Sequence, residues 1–268
     1  MDRARLEIDT QSPFGKYKLN PWRQAAVNLT QKSRSKRVIN LLRMVGGLTN
    51  CQVADVKIYD GRMRLYPQSN RSDKVMLARP HIFDWRERAA LAEHLRKTQN
   101  PSFIDLGANI GAYSVFVESL KLGTKIIAIE ADPEIFKRLQ FNLPEAVILN
   151  IAVSSTEGSL PFYINEASRG ENSLVQGEGM KKIEVPAKRL LQVLDENNIQ
   201  RPSAMKIDVE GAEMDILGKF YEEAAPEHWP ELVIMEHYHA FEAVELLKSK
   251  GYKEVLRTKL NIVLKYSK

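Results

Sequence analysis

The sequence predicts an α/β fold built on a mostly parallel sheet, and three observations carry that reading. A short apolar run, Phe103-Ile104-Asp105-Leu106, breaks at Gly107-Ala108-Asn109-Ile110-Gly111 and continues with Tyr113, Phe116, Val117 and Leu120 at helical spacing. A second strand-like run, Lys125 to Ile129, ends in Glu130 and is followed by Asp132-Pro133, a cap and a proline in the order that starts a helix. Strand and helix patterns then alternate through most of the remaining chain, which implies parallel strands joined by right-handed crossovers.

Length and composition bound the problem. The 268 residues, 44% hydrophobic, suffice for one substantial core and an extension. The expected division is a basic N-terminal extension and cover over 1–80 and the main domain over 81–268. No apolar run approaches the roughly 18 residues that span a bilayer, and Met1-Asp2-Arg3-Ala4-Arg5 is followed by no signal-peptide core, so the expectation is a soluble, cytoplasmic protein. Cys51 is the only cysteine, which excludes an intrachain disulfide and a cysteine-based zinc site and leaves an ordinary buried residue as the simplest reading. Residues 1–80 carry 16 Lys and Arg against 6 Asp and Glu, so the net +5 of the chain belongs to its first third. The cluster Lys32, Arg34, Lys36, Arg37 suits a solvated face, an anionic glycan, phospholipid headgroups or nucleic acid.

Along the chain, residues 1–33 show little periodicity and are expected to be irregular, with Trp22 as an anchor. Val38, Ile39, Leu41, Leu42 and Val45 predict a short helix stopped at Gly46-Gly47. Val53 to Tyr59 and Met63 to Tyr66 alternate about Asp60-Gly61, a hairpin signal. Asp84 and Glu87 form a capping-box pair ahead of a helix whose expected apolar side is Trp85, Ala89, Leu91 and Leu95. After the second strand and its helix, Val147 to Val153 is expected as the third strand. Residues 154–185 are glycine-rich and polar, as a substrate loop or a simple insertion would be, with strand-like pieces at Leu160 to Ile164 and Ile183 to Val185. Leu190 to Leu194 predicts a helix, Ala204 to Ile207 the fourth strand, and Glu231 to Met235 the fifth. A helix closed by Gly251 then leads to a final hairpin, Tyr252 to Leu256 and Ile262 to Tyr266.

The candidate site lies at the bend after the first core strand. Gly107 and Gly111 permit a sharp turn and close approach of a ligand, and Asn109 is a residue type that tolerates positive φ. Glu130 falls about 20 residues beyond the turn at a strand tip, where an acid accepts hydrogen bonds from both ribose hydroxyls. The turn lacks the three glycines of a dinucleotide site, and Asp105 puts negative charge beside the ligand, which suits a cation better than a diphosphate. S-adenosylmethionine has the ribose and the sulfonium and no phosphate.

Phe103 to Gly111 (FIDLGANIG), Ile129 to Pro133 (IEADP) and Met205 to Leu217 (MKIDVEGAEMDIL) together resemble the FkbM family of S-adenosylmethionine-dependent methyltransferases. The resemblance covers roughly residues 60–240. It implies a class I methyltransferase (Rossmann-like) fold, a seven-stranded mostly parallel sheet with a C-terminal antiparallel hairpin. It also implies O-methylation, with sugar hydroxyls of glycans or glycosylated natural products as usual acceptors. Carried over position by position, Asp105, Gly107, Asn109 and Gly111 shape the methionine end of the cofactor site, Glu130 holds the ribose, and Ala131 and Ala152 border the adenine.

Methyl transfer to an alcohol needs alignment of the oxygen and a base for its proton. Asp208, at the tip of the fourth strand, is the first candidate and His237, after the fifth, the second; each also has a structural reading, as helix cap or satisfied histidine. His239 is expected to be structural. Asp208 and Glu236 end adjacent strands and together are candidates to hold Mg²⁺. The leading function is an O-methyltransferase acting on a small-molecule or glycan acceptor, anionic ones included, with peripheral contact to a membrane surface as a further partner. The alternative is an RNA or protein methyltransferase docking through the basic N-terminal region, although the absence of interleaved aromatics disfavours nucleic acid. An NAD-dependent oxidoreductase and a non-enzymatic binding module on the same core are the rivals in other classes.

Overall fold

The computed structural model describes residues 8–165, 180–238 and 240–267, so His239 and the glycines at 170, 177 and 179 lie outside the described residues. The chain begins with α1 (Pro21–Lys32) and α2 (Lys36–Val45), the hairpin of β1 (Ala54–Ile58) and β2 (Gly61–Leu65), then α3 (Arg71–Ala78) and α4 (Trp85–Arg96). The core alternation follows as β3 (Ser102–Leu106), α5 (Ala112–Ser119), β4 (Lys125–Ile129), α6 (Pro133–Asn142) and β5 (Val147–Leu149). Next come β6 (Ala152–Val153), β7 (Gly158–Ile164) and β8 (Lys181–Lys188). The last part is α7 (Leu190–Glu196), β9 (Ala204–Ile207), α8 (Glu213–Glu223), β10 (Leu232–Glu236), α9 (Phe241–Ser249), β11 (Tyr252–Arg257) and β12 (Asn261–Tyr266).

Among the described residues seven strands form the main sheet in the order β11-β12-β10-β9-β3-β4-β5. The pairs β3 with β4, β3 with β9, β9 with β10 and β4 with β5 are parallel, and β12 runs antiparallel to both neighbours. This is the class I methyltransferase fold. Successive strand residues point to opposite faces. Ile104, Leu106, Met205, Ile207, Val233 and Met235 therefore bury against α7, α8 and α9, whereas Phe103, Ala204, Leu232 and Ile234 bury against α4 and α5. The strand order reverses between β3 and β9, the place where open α/β sheets leave a crevice at their carboxyl ends.

Several expectations need correction. Val147 to Val153 is not one strand: Asn150 turns the chain out of the main sheet, its Nδ2 bonding the carbonyls of Glu130 and Ala131, and Ala152–Val153 joins β7 and β8 in a separate three-stranded sheet. Residues 21–32 are helical rather than irregular, started by Asn20, whose side chain accepts from Arg23 N–H, with Pro21 at the first helical position. Trp22 is not the anchor; it is 65% exposed, and Ala26, Val27 and Thr30 are buried instead. The hairpin turns at Tyr59-Asp60, both at positive φ (52° and 67°), so Gly61 pairs with Ile58 as the first residue of β2. Gly61 is glycine because a Cβ there would meet Val115 Cγ1 at 2.6 Å, the point where hairpin and α5 touch.

The α4 face is also rotated from the expected one. Trp85 and Ala89 face outward, while Glu87, Arg88, Leu91, Ala92 and Leu95 are buried. Asp84 makes no capping bond, since its Oδ2 accepts the Tyr113 hydroxyl at 3.0 Å, and Glu87 instead accepts from Thr258 and Asn261 across the domain. Cys51 is fully buried and burial pushes its thiol pKa up, which fits its reading as an ordinary core residue.

The N-terminal elements share a core with the sheet domain. Leu19, Val27, Leu48, Val56, Met63 and Met76 belong to one apolar cluster with Ala108, Ile110, Val115, Leu139 and Leu143. Arg64 ties the leading segment to this core. It is 2% exposed, forms a two-point pair with Asp55 (Nε to Oδ1 at 2.7 Å, NH2 to Oδ2 at 2.9 Å), donates to the carbonyls of Asp9, Ser12 and Pro13, and stacks on Phe141. All five guanidinium N–H groups thereby find acceptors.

Candidate active site

A cleft of about 540 Å³ opens at the carboxyl ends of β3, β4 and β9. Its floor is the bend after β3. The N–H groups of Gly107 and Ala108 donate to the Ile129 carbonyl (3.0 and 2.9 Å), folding the bend over the tip of β4. Gly107 and Gly111 have φ of 72° and 88° and Asn109 has 51°, as the glycine-asparagine pattern predicts. Close packing gives both glycines a further reason. A Cβ on Gly107 would sit 1.9 Å from the Asp208 carbonyl oxygen, and one on Gly111 would strike Leu143 and Leu139, so in these directions the space is filled by protein rather than left for a ligand.

Glu130 is buried beside this bend. Asn109 N–H donates to Oε2 and Asp132 N–H to Oε1, both at 2.9 Å, and each oxygen keeps a second lone pair. Burial pushes the carboxyl up to about 7, against the pull of those two amides. Asn109 in turn accepts at Oδ1 from Ile110 N–H and from Asn70 Nδ2, both at 2.9 Å, so the start of α3 is tied to the bend. That tie brings Arg71 and Ser72 to the cleft wall. Ile151, Ala152, Val153 and Phe162 give part of the cleft wall an apolar surface, next to Ala131.

A second charged group lies under β9. Lys206, 3% exposed, places Nζ 3.1 Å from Asp208 Oδ2 and 5.6 Å from the centre of the Tyr113 ring. Burial alone would lower the ammonium pKa, but the carboxylates of Asp208, Asp84 and Asp105 more than offset it and the net shift is upward. Asp105 is fully buried, accepts the Ser114 hydroxyl at 2.6 Å, and burial lifts its pKa to about 6. Burial, reinforced by Glu87, raises Asp84 as well. Asp84, Asn109 and Glu210 all line the cleft and all hold positive φ without being glycine, a local strain that surrounding structure must maintain.

Of the residues expected from sequence, Asp105, Gly107, Asn109, Glu130, Ala131, Ala152, Asp208 and Glu236 line one cleft. Gly111 sits behind the bend, and His237 is outside the lining, with Nε2 3.2 Å from the Thr258 carbonyl oxygen in the β11–β12 turn. Asp208 does not cap α8, whose N-cap position is Ala212 and carries no side-chain cap. Glu213, two positions past Gly211, accepts from Val209 and Gly211 N–H and closes that turn. For a metal, Asp208 and Glu236 share the cleft, but Lys206 already neutralises Asp208 and no group of three or more candidate ligands occurs among the described residues. Lys206, Asp84, Arg71, Asn70 and Phe162 escaped sequence reasoning. Only Lys206 carried a signal, as a lone cation inside an apolar strand.

The family model described as Methyltransferase FkbM domain matches residues 105–254, more than half of the chain. The chain belongs to the FkbM methyltransferase family. This FkbM chain is 31% identical over 166 residues to methyltransferase sdnD of Sordaria araneosa, covering 48% of this chain and 62% of that protein. It is 27% identical over 117 residues to the hexuronic acid methyltransferase AglP of Haloferax volcanii, covering 42% of this chain and 47% of that protein. The matches thus span less than two thirds of these curated relatives. A precorrin-6y C5,15-methyltransferase from Geobacter metallireducens, of solved structure, overlays 68% of this chain and 87% of its own at 15% identity and a TM-score of 0.41.

Proposed function

We propose that this FkbM chain binds S-adenosylmethionine in the cleft and transfers its methyl group to a hydroxyl of a sugar, glycan or glycosylated metabolite. The observation that carries the reading is the presence, in one cleft, of a buried carboxylate at the tip of β4 beside the bend and a half-exposed carboxylate after β9, on the other side of β3. The donor set fits the cofactor: Glu130 has accepting capacity left for a vicinal diol, the Ile151 and Phe162 wall suits a flat ring, and Asp84, Asp105 and Asp208 outnumber the single Lys206 cation among them, which favours a positively charged ligand. The cofactor supplies an electrophilic methyl on a sulfonium. Asp208 takes the acceptor's proton at Oδ1, the oxygen not paired with Lys206, and Lys206 holds the carboxylate in place. Arg71, exposed at the rim, offers a cation to an acidic acceptor. The hexuronic acid named for the Haloferax relative supports that acceptor class.

Parallel calorimetric titrations with S-adenosylmethionine, S-adenosylhomocysteine and NAD test the cofactor assignment before any acceptor is known. The two sulfur nucleosides are expected to bind and NAD to give no heat. A glycan panel with labelled methyl donor then tests the acceptor, uronic acid-containing glycans being expected to take label. Unchanged turnover in EDTA would remove the metal-assisted variant.

A further inference from the structure

Outside the cleft, α1 and α2 carry an apolar surface that the core does not use. Trp22 and Leu29 on α1 and Val38, Leu41, Met44 and Val45 on α2 are between 44% and 65% exposed. Val38, Leu41 and Val45 fall at i, i+3 and i+7, an outward stripe turned away from the buried Ile39, and Trp22 and Leu29 fall at i and i+7, a stripe that flanks the buried Ala26 on α1. The Trp22 indole donates to the Val45 carbonyl at 3.3 Å, which joins the two stripes at one end. An apolar area of this kind on an otherwise charged chain marks a docking surface.

Charge says what docks there. From Thr10 to Ala54 the chain has eight Lys and Arg and no Asp or Glu. Among the described residues, no ion pair joins Lys32, Arg34, Lys36, Arg37 or Arg43 to a carboxylate. A second copy of this face would bring two sets of unneutralised cations together. Nucleic acid would use the cations but leave Leu29, Val38, Leu41 and Met44 without a role. Apolar stripes beside cations with no acids are the pattern of helices that lie in the interface of an anionic bilayer.

We propose that the α1–α2 face docks on an anionic phospholipid surface, with its apolar side chains at the acyl boundary and its basic residues against lipid phosphates. No helix among the described residues is long and apolar enough to cross a membrane, so the contact is peripheral. The inference is independent of the reaction in the cleft.

Flotation of the full chain with vesicles tests it, using phosphatidylcholine alone and an equal mixture with phosphatidylglycerol. The chain is expected to float with the mixed vesicles, to stay behind with neutral ones, and to be released by high salt. At about fivefold per basic residue, Lys36→Glu with Arg37→Glu is expected to cut partitioning by more than about tenfold. Leu41→Asp with Met44→Asp is expected to do the same at an unchanged melting temperature. A readout that needs neither variant is the blue shift of tryptophan emission on adding mixed vesicles, which Trp22→Phe should remove. Equal flotation with neutral vesicles, retained flotation of the Leu41→Asp, Met44→Asp chain, or RNA binding without any vesicle binding would overturn the proposal.

Discussion

At the scale of single residues, Glu130 is where burial meets the proposed ligand contact. Its carboxyl is raised from 4.5 to about 7, so in the ligand-free chain this group favours the fold most at low pH. That contribution is lost as pH rises from 4.5 through about 7. A ribose diol donates to the ionised form and draws the pKa back down. Affinity for S-adenosylhomocysteine is therefore expected to rise with pH below about 7, by at most about tenfold per pH unit, with release of up to one proton on binding. Titration in buffers of different ionisation enthalpy measures that proton directly; a pH-independent affinity from pH 5 to 8 contradicts the placement of the diol on Glu130. For Asp208, replacement by Asn removes the proposed base while keeping the side chain's shape. The expected result is a fall in turnover of about 10²–10⁴ with cofactor affinity nearly intact. Retained turnover would take Asp208 out of the mechanism.

At the scale of elements, the site is held together by the junctions between strands and bends. Gly107 lets the exit of β9 lie against the bend after β3, with Asp208 N–H also donating to the Leu106 carbonyl at 3.0 Å. An alanine at position 107 would combine a left-handed backbone with overlap on the Asp208 carbonyl, so Gly107→Ala is expected to cost at least about 2 kcal/mol, read from the urea midpoint. The strand-to-helix switch at Phe103 to Gly111 and the cap at Asp132-Pro133 were legible because local chemistry alone decides them: Asp132 accepts from Glu134 and Ile135 N–H as a helix start requires. The Asp84–Glu87 pair satisfied the same local pattern but has tertiary partners instead, Tyr113 for one acid and Thr258 with Asn261 for the other. Likewise the run from Val147 to Val153 is apolar apart from Asn150, and only the hydrogen bonds of that side chain reveal where it leaves the main sheet. Lys206 was passed over because a lone cation in a short apolar strand does not show its partners in the sequence, whereas here the carboxylates of Asp208, Asp84 and Asp105 accommodate it.

At the scale of the whole molecule, the N-terminal elements are integrated with the sheet domain through Arg64 and the cluster under α5 and α6. Removing one partner of a buried ion pair leaves the other charge uncompensated, at about 3–5 kcal/mol. Arg64→Leu is expected to lower stability by that amount in a single transition, read from denaturant unfolding followed by both fluorescence and circular dichroism. Two separated transitions would instead mean that the leading segment unfolds on its own. The parallel character of the sheet was readable from the strand-helix alternation, but the arrangement of residues before Asp84 was not, because it depends on contacts such as those of Arg64 with Asp9, Ser12 and Pro13 across more than fifty positions.

Glu130 is the residue proposed to grip the nucleoside, and the rest of the proposed site is placed around it. Calorimetry with S-adenosylhomocysteine at pH 8 on the unmutated chain and on Glu130→Ala tests this most directly. Loss of hydrogen bonds to a charged group predicts an affinity at least about tenfold weaker in the variant. An affinity unchanged by the substitution, or binding of NAD in place of the sulfur nucleoside, would contradict it.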